Sequence, residues 1–235
     1  MTKIGVFDSG IGGDAVAKRL RHLFPKAKII SVNDNMNVPY GIKPSNEIIR
    51  LTDIAIQPLI AAKCDAIVIA CNTATTNAIT HLRLTYPDTH FIGIEPMIKP
   101  AVKLSKTGTI AVLATPSTLK SHRYAELKRQ WAVHHTVVEP DCSNWAGLIE
   151  QGESHRVDIH AAIYESRRWN ADVIVLGCTH YHWIKDRIQA TVGPSVSVLE
   201  PSDAIGARID ALLTPHDTWK RTQRKRRVID PPQHV

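Results

Sequence analysis

The chain is poor in several features that would have fixed its class at once. It has four cysteines in 235 residues, at 64, 71, 142 and 178, too few for a disulfide scaffold. None form a Cys-x-x-Cys pair, the usual dithiol redox arrangement. Neither Gly-x-Gly-x-x-Gly nor Gly-x-x-x-x-Gly-Lys-Ser/Thr occurs, so nucleotide binding has little support. The most apolar run, around Ala66 to Cys71, falls far short of the ~20 residues that span a bilayer. The opening MTKIGVFDSG lacks a cationic region followed by a long apolar stretch, the form of a secretory leader. Together these absences predict a cytoplasmic chain with free thiols and no membrane contact.

What is present is ordinary globular composition, 43% hydrophobic and 22% charged. Lys and Arg total 29 against 22 Asp and Glu, a net charge of +7. Residues 216–235 hold six basic and two acidic side chains and read as a basic, mobile tail. The remaining residues are close to balance. A basic tail raises nucleic acid as a partner, but nothing else in the sequence supports one.

Short apolar runs alternate with amphipathic ones. Strands are expected at 3–7, 28–32, 66–70, 109–113, 133–138, 172–177 and 195–199, with a long helix at about 45–62. This rhythm predicts an α/β fold with mostly parallel sheets. An internal echo refines it. Asp65 to Cys71 (DAIVIAC) aligns without gaps on Asp172 to Cys178 (DVIVLGC), at an offset of 107. Ile4 to Phe7 aligns on Ile110 to Leu113, at an offset of 106. Two near-equal offsets imply two similar α/β halves, one of residues 1–96 plus about 200–215 and one of 97–199. The helix near 203–213 is then expected to return to the first half.

The echo places Cys71 and Cys178 alike. Each ends a buried strand and precedes a capping pair, Asn72-Thr73 or Thr179-His180. Parallel sheets gather ligands at the carboxyl ends of their strands. A helix N-terminus there favours thiolate, so a modest fall from about 8.5 would ionise such a thiol near neutral pH. Two thiols facing one cleft suit inversion of a carbon centre, with a base on one face and an acid on the other. Cys64 and Cys142 lack this setting and read as structural. Asp8-Ser9 ends the first strand, where a carboxylate can orient a substrate ammonium or assist the thiol. The glycines of Gly10-Ile11-Gly12-Gly13 are read as letting backbone approach a small ligand. His180 is read as a proton partner for Cys178. The run Cys178-x-His180-x-His182 fits no common zinc pattern, and no metal is expected.

At this point the motifs resemble those of the glutamate racemases, cofactor-independent enzymes that supply D-glutamate for peptidoglycan. The segments are IGVFDSGIGG (4–13), PYG (39–41), VIACNTAT (68–75), GIEPMIKPA (93–101), ATPSTLKSHRY (114–124), LIEQG (148–152), VLGCTHY (175–181) and LEPSDAIGARI (199–209). They follow the family order and cover the chain to about Leu213. The opening Asp-Ser-Gly-x-Gly-Gly separates the chain from the similar aspartate racemases. The resemblance implies two α/β domains related by a pseudo-twofold axis, with the active site between them and no cofactor. It implies that Cys71 and Cys178 are the acid/base thiols, with Cys178 acting on L-glutamate and Cys71 on D-glutamate. Asp8, Glu150 and His180 would support them. Ser9, Tyr40, Gly41, Asn72, Thr73, Thr115, Thr118 and Thr179 would bind substrate, together with Asp8 and His180. Homodimers are common in the family and some members contact DNA gyrase, but neither interface can be read from this sequence. Two stretches depart from the family pattern, Asn35 to Val38 and Pro140 to Gly147. Competing readings are a racemase for aspartate or another amino acid, and a non-catalytic regulator or binding protein on the same fold.

Overall fold

A computed structural model describes residues 1–213; the tail expected at 216–235 lies outside the described residues. Among these, eight strands form two four-stranded sheets. The first holds β1 (Lys3–Asp8), β2 (Lys28–Asn33), β3 (Ala66–Ile69) and β4 (Phe91–Gly93). The second holds β5 (Thr109–Ala114), β6 (Thr136–Val138), β7 (Val173–Gly177) and β8 (Ser197–Leu199). Their orders are β2-β1-β3-β4 and β6-β5-β7-β8, and every pairing is parallel.

The register repeats along with the order. Ile4 lies opposite Ala66 in the first sheet, and Ile110 lies opposite Val173 in the second. These four positions are the ones that the two sequence offsets relate.

Side chains leave each sheet with a period of two, so each apolar strand feeds two cores. On one face of the first sheet, Ile4, Val6, Ala66 and Val68 meet Val16, Ala17 and Leu20 of helix Gly12–Leu23. Ile205 and Ile209 of helix Ser202–Leu213 join that cluster, so the chain returns here after β8. On the other face, Phe7, Ile67 and Ile69 meet Ile48 and Leu51 of helix Ser45–Ala55. Ala74, Ala78 and Leu82 of helix Asn72–Thr85 complete that layer. The second sheet is covered in the same way. Ile110, Val112, Val173 and Val175 pack on Ile98, Ala101, Tyr124 and Leu127. Ala111, Leu113, Ile174 and Leu176 pack on Trp145, Ile163, Tyr181 and Ile188.

Several boundaries differ from expectation. The helix expected over 45–62 is two, Ser45–Ala55 and Gln57–Ala61. Pro58 sits in the first turn of the second, where its missing N–H does no harm. The strand expected at 133–138 begins only at Thr136, because Ala132 to His135 form a turn. Strand β4 had no counterpart in the sequence reading. No helix among the described residues is long and apolar enough to cross a membrane.

Candidate active site between two matched sheets

In each sheet the chain leaves the central strand for one edge and later crosses to the other. The crevice at that switch, outside the carboxyl ends of the strands, is where such sheets bind ligands. Asp8 ends β1, and Ser9 and Cys71 follow β1 and β3 in the first half. Thr115 and Cys178 follow β5 and β7 in the second. The two switch points face each other, and both sulfurs line one cavity. The repeat makes Ser9 equivalent to Thr115, Cys71 to Cys178, Asn72 to Thr179 and Thr73 to His180.

Cys71 is buried, and it is Cys71, not Asn72 or Thr73, that caps helix Asn72–Thr85. Its Sγ accepts a hydrogen bond from the Ala74 N–H at 3.3 Å. Ser9 Oγ lies 3.2 Å from the same sulfur. These contacts favour thiolate, as expected of a helix N-terminus. The expectation of a lowered thiol fails here, however. Burial and the Asp8 carboxylate outweigh both contacts and push Cys71 up to about 12. At neutral pH Cys71 therefore carries its proton.

Cys178 stands in different surroundings. It precedes a 3-10 helix, Thr179–Ile184, that runs into helix Lys185–Val192, and its sulfur caps nothing. The His180 Nδ1 lies 3.7 Å from Cys178 Sγ, and its Nε2 bonds Glu150 Oε2. Glu150 in turn accepts from the Ile11 N–H at 3.2 Å, across the interface between the halves. Burial opposes a charge on His180, but its bonds to Cys178 and Glu150 win and raise it to about 11. Burial likewise works against the Glu150 carboxylate, but the His180 bond and charge outweigh it and hold Glu150 below its usual range. An imidazolium–carboxylate pair thus sits beside Cys178 at neutral pH.

Asp8 is fully buried. Its Oδ1 accepts from the Gly10 N–H at 2.9 Å and its Oδ2 from the Thr179 hydroxyl at 3.0 Å. Burial raises its carboxyl from 3.8 to about 6, against the pull of His180 and these two bonds. Thr73 Oγ1 lies 2.8 Å from Thr115 Oγ1 and 3.3 Å from Thr118 Oγ1, a second polar bridge between the halves. Asn72 is 2% exposed, and neither polar atom of its amide has a hydrogen-bond partner. Leaving such a group unpaired costs about 1–3 kcal/mol.

Of the residues expected in the site, Ser9, Tyr40, Gly41, Cys71, Thr73, Thr115, Glu150, Cys178 and His180 line the cavity. Asp8, Asn72, Thr118 and Thr179 do not; they lie behind the wall, next to lining residues in sequence or through hydrogen bonds. Val38, Pro39 and Ala146 line it as well and were not foreseen. Pro39 opens the Pro-Tyr-Gly motif and Val38 precedes it, so that motif could have found both. Ala146 carries no sequence signal. The glycine loop 10–13 does not line the cavity. Its open space is filled by the second half instead: Glu150 packs against Gly10, and Thr179 fills the place where a Cβ on Gly12 would stand. His182 turns away, with Nδ1 2.6 Å from the Thr179 carbonyl and its ring against Trp183. Cys64 and Cys142 are free thiols packed into the two cores.

Residues 14–208 match the family model described as Asp/Glu/hydantoin racemase. The chain belongs to that family. Among its relatives, the glutamate racemase of Clostridium perfringens is 37% identical over 226 residues, covering 94% of this chain and 87% of that one. The glutamate racemase of Aliarcobacter butzleri is 40% identical over 217 residues, covering 89% and 83%. The crystal structure of Escherichia coli glutamate racemase, in complex with L-glutamate and the activator UDP-MurNAc-ala, superposes with a TM-score of 0.78 at 30% identity. That match covers 91% of this chain and 83% of the other. Within the family, the chain groups with the glutamate racemases, enzymes of the amino-acid racemase class.

Proposed function

We propose that this protein interconverts L- and D-glutamate without a cofactor, in the cytoplasm, and so supplies D-glutamate for peptidoglycan. The observation that carries the proposal is the pairing of two thiols in one cavity, each at the switch point of a matching sheet. In the L to D direction, Cys178 thiolate takes the α-proton and Cys71 thiol delivers its own to the opposite face. The cycle leaves Cys178 as thiol and Cys71 as thiolate, and exchange with water restores the starting state. His180, held charged by Glu150, supports the anionic sulfur of Cys178. Asp8 opposes charge on Cys71 and thereby keeps its proton available.

The α-proton of glutamate is far less acidic than a thiol, so charge developing at the α-carbon and its carboxylate needs fixed dipoles. The N-terminus of helix Asn72–Thr85, the Asn72 amide and the hydroxyls of Ser9, Thr73 and Thr115 are the donors at hand. The remaining expected groups, Tyr40, Gly41, Thr118 and Thr179, bind substrate or hold those that do. The cavity is only about 20 Å3, room for roughly one water. Entry of an amino acid therefore requires the halves to part. We read residues 1–96 with the returning 200–213 helix as one moving unit and 97–199 as the other. Closure over substrate would then expel water and strengthen each polar contact.

Polarimetry of purified protein with L-glutamate and no additive tests this. Loss of rotation toward zero is expected, with aspartate and other amino acids much slower. No change with glutamate, or faster turnover of another amino acid, would overturn the substrate assignment.

A further inference from the structure

One wall of the cavity is a loop rather than a strand end, and it is held by a carboxylate that does not line the cavity. Val38, Pro39, Tyr40 and Gly41 form this wall. The loop begins at Asp34, whose backbone N–H bonds the Asp8 carbonyl at 3.1 Å and so continues the β1–β2 ladder. The Asp34 side chain then reaches forward along the loop. Its Oδ2 accepts from the Tyr40 hydroxyl at 2.7 Å, and the Asn37 amide donates to Oδ1 and Oδ2 at 2.9 and 3.0 Å. Tyr40 is 2% exposed and its ring packs on Phe7, 6.5 Å between centroids.

We propose that Asp34 is a positioning residue for substrate binding, acting through Tyr40 to fix the Val38–Gly41 wall. This rests on the racemase reading above. A hydrogen bond to a charged acceptor is stronger than a neutral one, and this one ties the loop's two ends together. It also commits the only proton of the Tyr40 hydroxyl to Asp34, so toward the cavity that oxygen can act only as an acceptor. Burial and the Asp34 carboxylate both push the Tyr40 phenol up, which keeps that proton in place. Placement matters because the wall has no slack. A Cβ at Gly41 would stand 2.8 Å from Thr115 Cβ of the other half. The segment Asn35 to Val38, which departs from the family pattern, is the one that supplies Asn37 to this carboxylate.

A double-mutant cycle with Asp34→Ala, Tyr40→Phe and the pair tests the assignment. Each single change should raise KM for glutamate by about tenfold while kcat falls far less. The double variant should be little worse than either single one. An unchanged KM in Asp34→Ala, or single effects that simply multiply, would overturn the proposal. Hydrogen exchange of the 34–43 segment gives a readout that needs no turnover. Exchange there should speed up in Asp34→Ala while the β1 and β3 amides stay protected. No change in that segment would overturn the proposal even if the wild-type protein failed to racemise glutamate. Failure of wild type alone would instead count against the function.

Discussion

Cys71 and Cys178 stand on equivalent strands at equivalent registers, yet their neighbours differ in charge. Beside Cys71 are the Asp8 carboxylate, the Ser9 hydroxyl and the N-terminus of a helix. Beside Cys178 is an imidazolium backed by Glu150. The repeat puts Thr73 where the second half has His180, and Ala114 where the first half has Asp8. Duplication thus accounts for the position of the two sulfurs, and substitution around them accounts for their different surroundings. Two identical thiols in identical surroundings would share a single proton evenly between them. The different surroundings bias which sulfur holds that proton in the resting site.

The comparison breaks most completely if the thiols are removed. Cys71→Ser and Cys178→Ser should each lower turnover by about 10²–10⁴-fold, the range of general acid–base contributions. Because the two enantiomers are equal in energy, kcat/KM must fall equally in both directions, which a polarimetric assay from each enantiomer checks. Wild-type turnover in both variants would end the two-thiol account.

A smaller effect sharpens the Cys178 side. Glu150→Gln removes one of the bonds that hold His180 charged. The alkaline limb of the rate profile should then move to lower pH by about a unit or more. The same profile in Asp8→Asn should move its alkaline limb less, because the Asp8 charge contributes less to holding His180 charged than the Glu150 bond does. An unmoved limb in Glu150→Gln would remove the imidazolium from the account. The pair also stabilises the fold. The contribution of His180 is fully present below its ordinary value of 6.5 and is lost as pH climbs toward about 11.

On the Cys71 side, Asp8 has the opposite signature to most salt-bridged carboxylates. Its folded value, about 6, lies above its ordinary 3.8, so the folded state binds the proton more tightly. Its contribution to stability is present below about 4 and is lost as pH rises through 6. The melting temperature of wild type, relative to Asp8→Asn, should therefore rise as pH falls from 6 to 4. A flat difference across that window would show that Asp8 is not buried as described. The smallest effect belongs to the thiol outside the site. Cys64→Ala should leave turnover unchanged, and a large loss would mean that the cysteines were sorted wrongly.

Legibility in the sequence followed burial. Strands β1, β3, β5 and β7 are central and buried on both faces, so they read as continuous apolar runs and betrayed the repeat. Strand β4, three residues at the end of a loop, offered too short a pattern to see. The cap on helix Asn72–Thr85 was misjudged because sulfur is a weak acceptor, and the adjacent Asn72 and Thr73 are better capping types. The glycine loop was misread for another reason. The groups that fill it, Glu150 and Thr179, come from more than 130 residues away, and only the packed halves bring them there. The same holds for the ionisation of Cys71. Its position was legible, but the balance of helix dipole, burial and Asp8 that sets its charge is a property of the folded site.

The most direct test of a division between two thiols is the fate of hydrogen at the α-carbon. Wild-type protein is given L-glutamate in heavy water and stopped within the first few per cent of conversion. If Cys178 removes the proton and Cys71 delivers another, the D-glutamate formed carries deuterium while the recovered L-glutamate does not. Equal labelling of both enantiomers, or unlabelled D-glutamate, would mean a single group serves both faces, and the matched pair of thiols would not be the catalyst.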